Sequence, residues 1–243
     1  MSSNPDPQLS EKAPQHQQQD SRLEALQFLG MIVGCCIIVG WGATILNQRF
    51  YSTNQPFYDS VSYHDLTHHV MTTSKEQGLF AGISAACSGS TVCLPFIFSA
   101  FAGLIVEPSR QIGIWIQTGE LAFLCCTLWI FFRRVSGASA WTAMFATAPI
   151  LLLRCLYMNS GGLSDYRMDL SLMLLFGATC LWYLIAFRAT SYWPFFMLGV
   201  SCASTCLFRG TAPVYFIVAV GPIVLGDILF FRRDRRFFAG LSI

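Results

Sequence analysis

Carboxylates, imidazoles and a phenol are concentrated in residues 58–69, between segments that are otherwise strongly apolar. Asp59 follows Pro56 and precedes a helix-compatible run, so its carboxylate is a candidate general base and equally a candidate N-cap. His64 and His68 are four residues apart, which places them on one helical face at a spacing acceptable for two metal ligands. Because no third ligand is defined, we expect no cofactor. A divalent metal at these histidines is the alternative, and otherwise they are solvated or interfacial.

Arginines offer a second kind of chemistry. Under the topology argued below, four of them lie on the same side of the membrane as residues 58–69: Arg110, Arg154, Arg167 and Arg209. The planar guanidinium forms bidentate, charge-assisted hydrogen bonds, so arginines that converge favour a phosphate or pyrophosphate ligand. The alternative is structural, because arginines near helix ends also extend toward the headgroups without binding a ligand.

Acidic side chains elsewhere in the apolar region have structural interpretations as well as functional ones. Asp165 and Asp169 lie at the start of a predicted helix, where a carboxylate stabilises the positive end of the helix dipole. Glu120 lies inside a predicted span, one helical turn from Gln117. We expect it to face a cavity or a partner such as Arg154 or Arg209, either for structure or for catalysis.

The composition is that of an integral membrane protein. The mean hydropathy is +0.52, and 54% of the 243 residues are hydrophobic while 12% are charged. A net charge of +2 without a basic stripe excludes nucleic acid as an expected partner. Residues 1–22 are polar and predict a disordered tail. Most of the ten cysteines lie in apolar runs, and only Cys87 and Cys93 have a spacing that could close a small loop in an oxidising compartment.

The apolar runs predict an all-α, polytopic membrane protein with about six transmembrane helices, since a crossing helix needs about 20 apolar residues. The predicted spans are 25–46, 113–132, 139–157, 169–187, 192–208 and 211–231. Residues 79–106 are long enough to cross, but their glycines and serines and Pro95 weaken a continuous helix. We expect this segment to lie in the membrane or dip into it rather than cross it.

The distribution of basic residues predicts the orientation. If residues 79–106 do not cross, one side of the membrane holds most of the basic residues: Lys12, Arg22, Arg133, Arg134, Arg188, Arg232, Arg233, Arg235 and Arg236. The positive-inside rule makes that side cytoplasmic. Residues 47–112 then form one large extracytoplasmic loop with short helices. If residues 79–106 crossed, the later loops would flip and the arginine clusters would lie outside.

Residues 59–63, Asp-Ser-Val-Ser-Tyr, resemble the Asp-Glu-x-x-Tyr motif of the GT-C class of membrane glycosyltransferases. The nearest branch contains the dolichyl-phosphate-mannose protein mannosyltransferases and the bacterial lipid A aminoarabinose transferases. A cytoplasmic N-terminus, a first span, a large outer loop and a Gly-rich span ending near Arg209 extend the resemblance over residues 25–231. The chain departs from the family in three ways. Ser60 stands where the family has Glu, only Pro95 remains of the family's proline pair, and family members are longer.

The resemblance implies transfer of a sugar from a polyprenyl-phosphate donor to a hydroxyl of a lipid, glycan or protein acceptor at the extracytoplasmic face. It implies that Asp59 is the general base and that Tyr63 lines the acceptor or sugar pocket. Asp165 would orient a sugar hydroxyl. The departing lipid phosphate would be stabilised by an arginine, with Arg167, Arg209 and Arg110 as candidates.

The predicted organisation is a cytoplasmic tail at 1–22, a GT-C-like transmembrane module at 23–236 and a short end at 237–243, where a longer family member would continue. The expected location is a cell inner membrane or the endoplasmic reticulum. The alternative is a polytopic membrane protein without catalytic activity, either a transporter, an assembly subunit or an inactive glycosyltransferase remnant. No internal repeat of the kind found in many transporters is evident.

Overall fold

The structure is a computed structural model, and it describes residues 7–51, 58–88, 93–109, 111–157, 163, 168–208, 212–219, 221–222 and 225. Side chains are described from Leu23 onward within these ranges, except at 50, 51, 58–61 and 219. This part of the chain contains helices and no strand, which confirms the all-α prediction. The helices are α1 Pro7–Tyr51, α2 Tyr58–Gln77, α3 Leu79–Cys87, α4 Leu94–Gly103, α5 Ile112–Arg134, α6 Ala140–Leu151, α7 Met168–Phe187, α8 Trp193–Phe208 and α9 Ala212–Ala219.

Three of the described helices are long and apolar enough to cross a membrane: Leu23–Arg49 within α1, Ile112–Arg134 and Met168–Phe187. They match the spans predicted at 25–46, 113–132 and 169–187. Only 22% of the apolar window of α1 is buried inside the protein. Its exposed face includes Ile38 and Trp41. An apolar face of this length in contact with water would be unfavourable, so it indicates a lipid environment.

The other three predicted spans do not form helices of that length in the described residues. The span predicted at 139–157 is wrong as a single helix, because α6 has 12 residues and is followed by a separate 3-10 turn, Arg154–Tyr157. Pro149 lies in the last turn of α6, where its missing N–H removes the hydrogen bond to the carbonyl oxygen of Phe145 and weakens that end of the helix. Helix α8 coincides with the span predicted at 192–208, but its 16 residues are fewer than the about 20 that a crossing helix needs. The span predicted at 211–231 includes α9, and most of its remaining residues lie outside the described ones.

Helix α1 begins at Pro7, inside the segment whose composition predicted a disordered tail. That prediction rested on the lack of apolar surface for burial. The same segment is rich in glutamine and also contains Glu11, Lys12 and Ala13, which have good helix propensity. Helix formation depends on both backbone propensity and apolar burial, and the prediction of disorder rests on burial alone.

The segment 79–106 is broken into two short helices, as its glycine, serine and proline content predicted. Gly78 connects α2 to α3 with φ of 94°, a backbone conformation that glycine adopts without steric cost. Pro95 lies in the first turn of α4, where its missing N–H costs no helical hydrogen bond. Cys87 ends α3 and Cys93 precedes α4; both carry free thiols, and the two are neighbours.

Helices α5 and α7 run parallel, and α1 runs antiparallel to α5. Phe28 of α1 stacks on Trp129 of α5 with ring centroids 6.0 Å apart, whereas Trp41 lies against Trp115, near the start of α5. Arg188, just after α7, donates from Nη1 to the carbonyl oxygen of Val135, just after α5, at 3.0 Å. We call this the arginine end of the bundle, because Arg133, Arg134 and Arg188 lie there.

Helices α2, α3 and α4 pack together against the first halves of α5 and α7, away from the arginine end. The contact is a buried apolar group that we call the Phe96 cluster: Val70, Ala86, Phe96, Ala100, Met168, Leu175 and Phe208. Phe208 ends α8, so the last turn of α8 reaches the same cluster. The positions predicted to carry chemistry on α2 therefore lie beside the start of α7 and the end of α8.

Glycines permit the closest helix contacts. A Cβ at Gly103 of α4 would lie 2.5 Å from the carbonyl oxygen of Met71 in α2, and one at Gly82 of α3 would lie 2.6 Å from Ser74 Cβ. Between α1 and α5, a Cβ at Gly40 would lie 2.5 Å from Thr118 Oγ1. Small residues at such points let helix backbones approach closely, as in other membrane helix pairs.

Candidate functional site

The acidic motif lies at the start of α2. Asp59 is in the first turn of this helix, which begins at Tyr58, and its side chain is outside the described ones. Tyr63 follows one turn later on the same helical face. Its half-buried ring lies 6.3 Å from the ring of Phe96, measured between centroids and at an interplanar angle of 32°. The structure thus places Tyr63 at the contact between α2 and α4.

The four other predicted site residues, Arg110, Asp165, Arg167 and Arg209, lie outside the described residues. Two of them adjoin described residues of the Phe96 cluster. Arg167 precedes Met168 and Arg209 follows Phe208, and these cluster members are 2% and 1% exposed. Consecutive Cα atoms are about 3.8 Å apart. The cluster that Tyr63 packs against therefore contains the immediate chain neighbours of two predicted phosphate ligands.

The histidines of α2 occupy different environments. His64 is buried, whereas His68 is exposed and borders an open cavity of about 370 Å3 together with Asp65, His69 and Thr72. Across the described residues, no three His, Cys, Asp or Glu side chains are grouped so that they could hold a metal ion. The alternative of a divalent metal at His64 and His68 thus gains no third ligand from this part of the chain.

Glu120 is buried inside the bundle, between α5 and α7. It is 6% exposed, and Ser171 of α7 is its polar neighbour. Neither carboxyl oxygen makes a hydrogen bond of normal geometry with the described residues. Gln117, one turn earlier, donates from Nε2 to Ser171 Oγ at 3.5 Å. A carboxyl group in such a position is costly, so it marks a functional or structurally important point within a membrane bundle.

The partner expected for Glu120 is different from the one found. Arg154 is exposed and lies in the 3-10 turn after α6, so the predicted pair with the buried Glu120 is not formed. The hydroxyl of Ser171 occupies that place because α7 runs alongside α5. Arg209, the other predicted partner, lies outside the described residues.

A hydroxyl network that the sequence reasoning missed joins α7 to α8. Thr179 Oγ1 lies 2.8 Å from Ser201 Oγ and 3.2 Å from Thr205 Oγ1, and all three side chains are buried. Ser201 and Thr205 are four residues apart, a spacing that places both on one face of α8. This spacing of two hydroxyl side chains is the sequence pattern that could have indicated a polar helix contact. Hydrogen bonds of this kind hold membrane helices together at fixed rotation.

Comparison with models of protein families, with curated proteins and with solved structures finds no match to this chain. The resemblance to GT-C glycosyltransferases therefore rests on the motif at residues 59–63 and on the predicted topology. The fold itself indicates a membrane protein: its described part is helical, and three of its helices are long and apolar enough to cross a bilayer.

Proposed function

We propose that the protein is a membrane glycosyltransferase that moves a sugar from a polyprenyl-phosphate donor to an acceptor hydroxyl at the extracytoplasmic face. The observation that carries this proposal is the position of α2. The helix with Asp59 and Tyr63 packs, through the Phe96 cluster, against the two helix ends that adjoin Arg167 and Arg209. The start of α2 and the described chain neighbours of Arg167 and Arg209 lie at the same end of the bundle, which supports a site assembled from a base and phosphate ligands of separate segments.

In the proposed reaction, the carboxylate of Asp59 accepts the proton of the acceptor hydroxyl as the oxygen attacks the anomeric carbon. The bond between that carbon and the phosphate oxygen breaks, and the polyprenyl phosphate leaves with the bonding electrons. Arg167, Arg209 or Arg110 stabilises the negative charge that develops on the leaving group. Tyr63 lines the pocket and Asp165 orients a sugar hydroxyl.

The test is consumption of labelled lipid-linked sugar by membranes that contain the full chain. The donors are polyprenyl-phosphate mannose and polyprenyl-phosphate aminoarabinose, which correspond to the two named branches of the GT-C class. Replacing Asp59→Asn removes the base and should lower turnover by at least about 100-fold. Asp65→Asn is the matched control, because Asp65 is exposed on the same helix and has no role in the proposed reaction. Retained turnover in Asp59→Asn at equal protein abundance would refute the assignment.

The buried Glu120 favours a second candidate, a transport or assembly role without catalysis. Ionisable groups inside membrane bundles form ion and proton pathways or bind partner helices. Glu120→Gln preserves the shape of the side chain and removes its ability to ionise. If the protein is a glycosyltransferase of the proposed kind, this variant should keep its turnover in the same assay. Absence of turnover in the wild type, together with loss of solute uptake in Glu120→Gln vesicles, would favour the second candidate.

A further inference from the structure

A cavity of about 420 Å3 opens at the arginine end of the bundle. Helices α1, α5, α7 and α8 all contribute to its wall, and so does the turn between α5 and α6. The lining includes Arg133, Arg134, Trp129, Trp182 and Trp193. A second cavity of about 350 Å3 shares Arg134 with the first and adds Arg188, Thr190 and Ser191. The charged residues among the described lining of both cavities are arginines.

The three arginines differ in the hydrogen bonds and ion pairs that they make within the protein. Arg133 is held in place: its Nη1 donates to the carbonyl oxygen of Ala138 at 2.9 Å, its guanidinium lies 5.8 Å from the Trp129 ring centroid, and Nη2 is 3.8 Å from Glu24 Oε2. Arg188 donates to Val135 from Nη1. Arg134 is exposed and has no hydrogen bond or ion pair with the described residues. Its five N–H donors are available to a ligand.

Trp182 forms part of the apolar wall of the cavity. Its side chain lines the cavity and is 3% exposed, and its indole nitrogen is buried within the protein, where a ligand in the cavity does not reach it. Trp129, the neighbouring indole, donates to the carbonyl oxygen of Ala140 at 3.2 Å. The side-chain donors available to a ligand therefore come from Arg134.

The beginning of α8 adds a second favourable element. Trp193 and Pro194, the first residues of this 16-residue helix, line the cavity. The N-terminal end of a helix carries partial positive charge and stabilises an anion. An anion with several acceptor oxygens, such as a phosphate group, matches the arginines and the helix end together.

The surroundings identify the source of that phosphate as a lipid. The apolar helices α5 and α7 end at the cavity, which therefore lies where a crossing helix meets the headgroup region. Trp193 is 60% exposed at the cavity and lies against the half-exposed Phe196, with ring centroids 5.4 Å apart. Exposed aromatic side chains at this level are typical of membrane interfaces, and basic pockets between membrane helices bind anionic headgroups.

We propose that this cavity binds the phosphate of an anionic phospholipid, with Arg134 as the principal donor. Arg133 is already engaged by the protein and contributes charge at a fixed position. This site is separate from the start of α2, where positions 59 and 63 lie, because the Phe96 cluster that α2 packs against is at the opposite end of the bundle. Lipid binding can therefore be tested whether or not the protein transfers a sugar.

The test is binding of short-chain lipids to the purified full chain in a neutral detergent, counted by native mass spectrometry and titrated by tryptophan fluorescence. Dioctanoyl phosphatidylglycerol should bind at least tenfold more tightly than dioctanoyl phosphatidylcholine. Arg134→Gln should weaken phosphatidylglycerol binding about tenfold, the effect of one lost charge-assisted hydrogen bond. Arg154→Gln makes the same charge change beyond the far end of α6 and should leave the affinity unaltered.

The outcomes separate the possible sources of the anion. Equal binding of the two lipids, or an affinity unchanged in Arg134→Gln, would overturn the proposal. Inorganic phosphate that binds as tightly as phosphatidylglycerol would assign the site to a soluble anion and would equally overturn it. If Arg154→Gln weakened phosphatidylglycerol binding as much as Arg134→Gln, the affinity would come from general charge attraction, and the proposal would be overturned. Because Arg134 makes no contact that the fold requires, its replacement should leave the protein folded.

Discussion

The close contact between Gly40 of α1 and Thr118 of α5 allows the loss of unfolding free energy in Gly40→Ala to be predicted. A Cβ at position 40 would lie 2.5 Å from Thr118 Oγ1 and 2.7 Å from Cγ2. Thr118 cannot rotate away, because two of the three positions on its Cβ face Gly40 and any rotamer fills at least one of them. The hydroxyl also donates to the carbonyl oxygen of Ile114 at 2.7 Å. Gly40→Ala must therefore push α1 and α5 apart.

The magnitude follows from two opposing contributions. Alanine gains about 1 kcal/mol over glycine inside a helix, whereas forcing an extra methyl group into a filled contact costs about 1–3 kcal/mol. Gly42→Ala is the matched control on the same helix, because a Cβ there meets nothing within 4 Å. The unfolding free energy of Gly40→Ala should therefore be about 1–3 kcal/mol lower than that of Gly42→Ala.

The assay is unfolding of the full chain in mixed detergent micelles by increasing dodecyl sulfate, followed by tryptophan fluorescence. A second substitution, Thr118→Ala, removes Oγ1 and Cγ2 and leaves Cβ at 3.1 Å, a distance that a shift of a few tenths of an ångström relieves. The double variant should recover about 1–2 kcal/mol relative to the sum of the single effects. Equal stability of the Gly40 and Gly42 variants, or additive single effects, would refute the packing argument.

Two further predictions concern single contacts. Ser139 caps α6 by accepting a hydrogen bond from Thr142 N at 3.1 Å, so Ser139→Ala should lower the unfolding free energy by about 1 kcal/mol, while the nearby exposed Ser136→Ala should not change it. Partial desolvation, and then the neighbouring Cys93, raise the pKa of the Cys87 thiol above its usual value, so less thiolate is present at a given pH. In a chain lacking the other eight cysteines, Cys93→Ser should therefore speed maleimide labelling of Cys87 at pH 8, and an unchanged rate would contradict the thiol contact.

Features of the fold that depend on a single segment could be predicted from the sequence. Features that depend on which helices pack together could not. Glycine, serine and proline content correctly indicated the break between α3 and α4, and uninterrupted apolar length correctly located α5 and α7. Apolar length overestimated α6, since the sum of hydropathy over 139–157 does not register the hydrogen bond that is missing at Pro149, near the end of the helix. For Glu120 the sequence predicted a cavity or an arginine partner, whereas its polar neighbour is Ser171 of α7. The proximity of Ser171 requires the parallel register of α5 and α7, which no local pattern contains.

Gly82 and Gly103 have a consequence for how α2 can move. Met71 and Ser74 of α2 lie so close to these two glycines that no side chain separates the helices there, and Gly78 is the only residue between α2 and α3. Helix α2 therefore cannot turn about its own axis or slide along α4 without a clash. Any displacement of α2 therefore carries α3 and α4 with it, and positions 59 and 63, one turn apart on α2, move together.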